Sequence, residues 1–278
     1  MKKMRKISIG ITMLVVCAAG LFVAITIAIG PTQGKKIGKY ANPQKALLVI
    51  DVQEDYTGTT AKSPFPYKDS GRLISTVNKL IDKAHKNNVP VLYIKQEFDG
   101  FWGRMFSKLL AGETAIKGTP GAEMDKRISI VSDYLFSKPS GDAFSNPNLE
   151  TFLNSHQVNE LYIVGLDAEY CVHLTAKGGL NRGYNVNILT DGILLRAEKK
   201  WDDLLKKYRK EGIVLKSSHD FLKEVSKCSS SINVPEIIYL PGVPIASRPT
   251  GNKPVGVSAV VSPAAYSQRS LENIIKAS

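Results

Sequence analysis

The chain has 278 residues, enough for one domain of ordinary size with extensions at its ends. A hydrophobic share of 43% beside 22% charged residues describes a chain that folds around a core and excludes a disordered one. The formal net charge is +12, yet no aromatic-basic interleaving and no nucleic-acid motif accompany it, so no nucleic-acid partner is expected.

Part of the charge excess is local. Lys2, Lys3, Arg5 and Lys6 precede residues 7–30, which carry no charge, and Lys35, Lys36 and Lys39 follow. At about 1.5 Å per residue this run is long enough to cross a hydrocarbon core of about 30 Å. Basic residues at its edges are attracted to anionic headgroups. The run is therefore read as a transmembrane signal anchor, with the lipid bilayer as its partner. A cleaved signal has a shorter apolar core, and the best small-x-small site, Ala28-Ile-Gly30, is followed by Pro31. The short basic tail favours the cytoplasm, which puts the domain outside a bacterial plasma membrane; secretion after cleavage is the alternative. The lysines after the run pull the other way. Residues 31–45 read as a linker.

From Ala46 strand and helix patterns alternate. Residues 46–51 form an apolar strand. In 71–86, Leu73, Ile74, Val77, Leu80, Ile81 and Ala84 share one helical face. Further strands are expected at 90–94, within 128–138, and at 161–164, 186–189 and 213–216. Further helices are expected at 148–154, 171–183, 201–210 and 220–225. Trp102 and residues 105–110 read as a lid, an oligomer contact or a packed helix. This order implies a Rossmann-like three-layer α/β/α domain over 46–226 with a mostly parallel sheet. Residues 227–278 are rich in proline and serine and read as an extended arm.

Sites in such sheets lie outside the carboxyl ends of the strands. Three chemically capable residues stand at such ends. Ala46-Leu-Leu-Val-Ile-Asp51 ends in an acid. Asp133-Tyr-Leu-Phe-Ser-Lys138 ends in a lysine. Leu161-Tyr-Ile-Val-Gly165 is followed by Leu-Asp-Ala-Glu-Tyr-Cys171, with the cysteine at the first turn of a helix. Unpaired N–H groups and the positive dipole end at that position favour a thiolate. Taken singly, acids cap helices, lysines face solvent and free cysteines fill cores. Of the other cysteines, Cys17 lies in the apolar run, and Cys171 with Cys228 makes no disulfide framework.

In this order, and with Gly118-Thr-Pro-Gly-Ala-Glu123 and Ser217-Ser-His-Asp-Phe-Leu222, the motifs resemble those of the isochorismatase-like cysteine hydrolases, the superfamily of nicotinamidases and carbamoyl-amide hydrolases. The resemblance covers roughly residues 44 to 226. It implies a hydrolase that cleaves a C–N bond of a small amide or carbamoyl substrate through a thioester. Cys171 is then the nucleophile, Asp51 the general base and Lys138 the charge that balances both. It also implies an oxyanion hole from the backbone N–H groups of Asp167 and Cys171, a cis peptide at Leu166–Asp167, and a homo-oligomer. Gln53, Phe65, Gln96, Phe98, Phe144 and Tyr170 are the candidate pocket walls. Where nicotinamidases carry an Asp-x-His pair, this chain reads Lys95-Gln96-Glu97-Phe98. His85, His156, His173 and His219 show no ligand spacing, so no metal and no other cofactor is expected. Two other readings stay open. One is an isochorismatase-type ether hydrolase, which manages without the cysteine. The other is a non-catalytic binding protein that retains the fold.

Overall fold

Apolar runs without alternation mark strands that are covered on both sides. The computed structural model, which describes residues 30–61, 65, 67–196 and 198–230, builds one sheet from those runs. In chain order the elements are β1 (Gln44–Ile50), α1 (Glu54–Thr57), α2 (Ser70–Lys86), β2 (Val91–Gln96), α3 (Gly100–Leu110), β3 (Leu135–Lys138), α4 (Pro147–Ser155), β4 (Val158–Gly165), α5 (Cys171–Asn181), β5 (Asn185–Ile193), α6 (Trp201–Lys210), β6 (Val214–Lys216) and α7 (Ser218–Ser230). The strand order is β3-β2-β1-β4-β5-β6, and every pairing is parallel.

Alternate residues of each central strand feed two cores. Ala46, Leu48 and Ile50 of β1 join Leu161 and Ile163 of β4 beneath α5 and α6. Leu47 and Val49 join Tyr162 and Val164 beneath α2 and α7. Each fully buried Leu or Ile contributes roughly 2–3 kcal/mol. The predicted apolar face of α2 is the buried one, from Leu73 to Ala84.

The sheet grows from β1 through β2 to β3, then resumes at β4 on the other side of β1. This reversal leaves a crevice outside the carboxyl ends of β1 and β4. Gly165 brings those two ends together. Its φ is +114°, and a Cβ there would lie 2.0 Å from the Ile50 carbonyl oxygen. Leu166 N–H then donates to that oxygen at 2.9 Å.

Several boundaries differ from expectation. The strand predicted within 128–138 is confined to its last four residues; 128–134 follow an irregular course, with the Tyr93 hydroxyl donating to Ser129 O and accepting from Val131 N–H. The predicted linker is a docked strap. The N–H and the hydroxyl of Thr32 both donate to Asp142 Oδ2 at 2.7 Å, Arg182 Nη1 donates to the Thr32 hydroxyl at 2.9 Å, and the strap's end belongs to β1. Among the described residues no helix is long and apolar enough to cross a membrane. The expected anchor, apart from Gly30, and the extension beyond α7 lie outside the described residues.

Candidate active site

Asp51 is the first residue past β1. Its φ of +52° is in the left-handed region, which a non-glycine residue adopts at a cost of about 1–3 kcal/mol and which clusters at functional sites. The Asp51 N–H still donates to Ile94 O at 2.8 Å, so the turn is tied to β2. The carboxylate is buried, and its Oδ2 lies 3.0 Å from Lys138 Nζ.

Lys138 closes β3 and is also buried. Its ammonium touches Gln96 Oε1 at 2.8 Å, Ser140 O at 3.2 Å and Cys171 Sγ at 3.4 Å, besides Asp51. Burial pulls its pKa down, but Asp51 and Cys171 outweigh this and hold it above the ordinary lysine value. Lys138 is therefore a cation at rest.

Cys171 opens α5, half-buried, on the wall of the cavity. The sequence reading expects a thiolate here, favoured by the helix end. Instead burial pushes the thiol up to about 12, Asp51 adds to the rise, and Lys138 opposes it without reversing it. Lys138 Nζ thus stands between the Asp51 carboxyl group and the Cys171 sulfur, with the thiol raised by burial. A lysine already neutralised by Asp51 has little field left for a second anion.

Gln96 and Gln53 divide the neighbouring work. An ammonium offers no acceptor, so Gln96 must turn Oε1 toward Lys138 and its Nε2 away. That Nε2 is buried and has no partner. Gln53, a predicted pocket wall, lies outside the cavity. Its Nε2 donates to Gln96 O and Ala122 O at 3.0 and 2.7 Å, and its Oε1 accepts from Gln96 N–H at 2.8 Å. These backbone bonds use the side chain up and fix Gln96. Phe144 is likewise not a wall: it packs in the core against Tyr184 and under the Arg182 guanidinium, 4.6 Å from the ring centre.

Phe65, Gln96, Phe98 and Tyr170 do line the cavity, which encloses about 770 Å³, within the range of small-molecule sites. Tyr56, Tyr67, Phe106, Leu174 and Arg196 join them, residues that sequence reasoning missed. Tyr56 follows the Asp51 motif by five positions and was the most findable of these. The others sit on loops or helix faces with no local signature.

The turn between β4 and α5 is braced from several sides. Asp167 accepts from Tyr67 OH at 2.9 Å, Glu169 N–H at 2.7 Å and Arg196 N–H at 3.0 Å. Burial raises its pKa, and these donors oppose the rise. Ala168 N–H donates to Leu194 O, and Ala168 O accepts from Tyr208 OH. Among the described residues, the N–H groups of Asp167 and Cys171 find no protein acceptor.

At the position where a nicotinamidase would carry an Asp-x-His pair, Lys95 Nζ is held by Glu97 at 2.9 Å and Glu123 at 3.1 Å. His173 is bonded to Glu211, the residue that ends α6.

The chain is 30% identical over 156 residues to a "probable inactive nicotinamidase" of Arabidopsis thaliana, covering 52% of this chain and 78% of that protein. It is 25% identical over 189 residues to the nicotinamidase of Escherichia coli (strain K12), covering 54% and 83%. Its fold matches the N-carbamoylsarcosine amidase of Thermoplasma acidophilum with a TM-score of 0.54 at 24% identity, over 63% of this chain and 96% of that one. The isochorismatase domain model matches residues 45–220, most of the chain, and this protein therefore belongs to the isochorismatase-like hydrolase family.

Proposed function

We propose that this protein is a membrane-anchored cysteine hydrolase that cleaves the C–N bond of a small amide or carbamoyl compound through a thioester. The observation that carries the reading is the Lys138 ammonium, which touches both the Asp51 carboxylate and the Cys171 sulfur beside the cavity. As substrate displaces water, Cys171 gives its proton to Asp51 and its sulfur attacks the carbonyl carbon. Negative charge leaves Asp51 as it appears on sulfur, so Lys138 faces one anion throughout. The N–H groups of Asp167 and Cys171 receive the oxyanion. When the C–N bond breaks, Asp51 returns the proton to the departing nitrogen. Water then gives a proton to Asp51 and attacks the thioester, and the acid leaves as that proton returns to Cys171.

The unpartnered Gln96 Nε2 supports a substrate with a hydrogen-bond acceptor. Arg196 is the cationic side chain among the lining residues and favours an anionic or electron-rich group on the substrate. The anchoring rests on the uncharged run 7–30 alone.

The test is ammonia release by the purified full chain from nicotinamide, N-carbamoyl amino acids and a panel of simple amides. Cys171→Ala should lower release at least about a thousandfold. An acyl group should be found on Cys171 by mass spectrometry after acid quench. Release that survives this substitution would sink the mechanism. No release from any amide would favour a binding protein, the reading that the "probable inactive nicotinamidase" of Arabidopsis thaliana keeps open. Resistance to alkaline carbonate extraction tests the anchor separately.

A further inference from the structure

The isochorismatase model matches from residue 45, so the strap before β1 lies outside it and the family's chemistry does not account for it. Its polar bonds converge on Thr32. The Thr32 carbonyl accepts from Asn181 Nδ2 at 2.9 Å and from Arg182 Nη1 at 3.3 Å, and its hydroxyl accepts from Arg182 Nη1 at 2.9 Å. The next carbonyl, of Gln33, accepts from Arg182 Nη2 at 3.0 Å. Fastened in this way to the end of α5, Thr32 turns its N–H and its hydroxyl to Asp142 Oδ2, each at 2.7 Å.

Asp142 is fully buried. Its Oδ1 accepts from Phe144 N–H at 2.9 Å. Among the described residues its Oδ2 accepts from Thr32 alone, and it faces Gly178, where a Cβ would lie 2.3 Å away. Without Thr32 this oxygen would be buried with no donor, a state costly enough to swing the side chain toward water.

Asp142 is also the far post of a wall of the site. Pro139, Ser140 and Gly141 line the cavity. Ser140 O accepts from Lys138 Nζ at 3.2 Å. Gly141 runs against α5 beside the sulfur: a Cβ there would lie 2.5 Å from Leu174 Cδ1 and 4.0 Å from Cys171 Sγ. The near post is Lys138, which the sheet fixes opposite Gln96. Three residues between two posts move when one post moves.

We infer that Thr32 is a positioning residue: by holding Asp142 it keeps the Pro139–Gly141 wall against the Cys171 sulfur and the Ser140 carbonyl on Lys138. The strap thereby sets the reactivity of a site whose reacting atoms it does not touch. The effect on turnover rests on the hydrolase reading above; the closure of the wall does not.

Release of Asp142 acts in one direction on the sulfur. An opened wall admits water to a thiol that burial raises, and a withdrawn Ser140 carbonyl leaves more of the ammonium to the sulfur. Both lower the pH at which the thiolate forms. The same loosening misplaces Lys138, which slows turnover.

The test uses the full chain in detergent, with Cys17 and Cys228 changed to Ser so that Cys171 alone reports. Thr32→Val keeps the shape and the backbone N–H but removes the hydroxyl bonds. Its iodoacetamide labelling at pH 8 should be about fivefold faster, with the whole rate profile moved to lower pH. Thr32→Ser restores the hydroxyl and should restore the wild-type profile. Asp142→Asn offers one acceptor where the carboxylate offers two, and should match Thr32→Val; the two together should add little. Ile81→Val, a core change in α2 that also lowers stability, should leave labelling unchanged. On an amide that the wild type hydrolyses, kcat of Thr32→Val should fall by more than KM rises.

A wild-type labelling profile in Thr32→Val, well below its melting temperature, overturns the inference even if the thermal midpoint has dropped. So does equal acceleration by Ile81→Val, which would assign the effect to general loosening. If Thr32→Val does not fold, Asp142→Asn is judged by the same two outcomes. If no amide is hydrolysed, the hydrolase reading fails by itself and the labelling still decides the role of Thr32.

Discussion

An ammonium with four acceptors around it must share three protons among them, and Lys138 is in that position. Its ionic partner is Asp51 at 3.0 Å, and burial raises the Cys171 thiol despite its place at a helix end. This sets the expected behaviour of Cys171 toward iodoacetamide, with Cys17 and Cys228 changed to Ser. Labelling requires the thiolate, so its rate should climb about tenfold per pH unit from 7 to 9 without levelling off, because burial holds the pKa near 12. Asp51→Asn removes the neighbouring anion and should shift the profile to lower pH. Lys138→Met removes the opposing cation and should shift it higher. It should also cost about 3–5 kcal/mol in chemical denaturation, since it leaves a buried carboxylate unpaired. A wild-type plateau below pH 8 would contradict this account of the resting site.

The strand ends carry the placement of these groups. β1, β3 and β4 each stop where a reacting residue or its turn begins, and Gly165 sets the closest approach between two of them. Gly165→Ala would put a methyl group into the Ile50 carbonyl and force an L-residue to φ +114°. Its expected cost is at least about 3 kcal/mol, read as a lowered thermal midpoint together with lost amidase activity. Normal melting and activity would show that the strand ends relax more readily than the contact suggests. Elements of this kind were legible in the sequence. A parallel strand covered on both faces reads as an unbroken apolar run, and its carboxyl end locates Asp51, Lys138 and Cys171 without coordinates. The walls were not legible in the same way. Gln53 and Phe144 are polar and aromatic residues near the motifs, but hydrogen bonds to Gln96 and Ala122 take up the first and core packing takes the second. Arg196 and Tyr67 reach the cavity only through loops whose course depends on Asp167. Helix α3 leaves Phe101, Trp102, Leu109 and Leu110 exposed, although its amphipathic spacing is that of a packed helix, and sequence alone gives no sign of which side faces the core.

At the scale of the molecule, the acid side of the stability curve follows from carboxylates held by donors. Burial raises the pKa of Asp125, but Arg127 and Thr57 reverse this and leave it below the ordinary aspartate value. Glu54 is lowered against burial by Lys126 and Thr59, and Glu211 by His173 and Lys177. Folded-state values below the unfolded ones mean that this stability is present above about pH 4 and is lost as pH falls through the lowered values. Asp142 and Asp167, raised by burial, work in the opposite sense and blunt the loss. Asp125→Asn should therefore cost about 2 kcal/mol at pH 7 and much less near pH 3, measured by urea unfolding at both pH values. An equal cost at both would assign the effect to packing. The division between sheet and loops also bears on the cavity. Asp51 and Lys138 stand at strand ends of one parallel sheet and Cys171 opens the helix after another, whereas Phe65, Phe98, Phe106, Tyr170 and Arg196 come from segments outside the sheet. A substitution in one of these walls can therefore reshape the cavity without moving the Asp51–Lys138–Cys171 contacts.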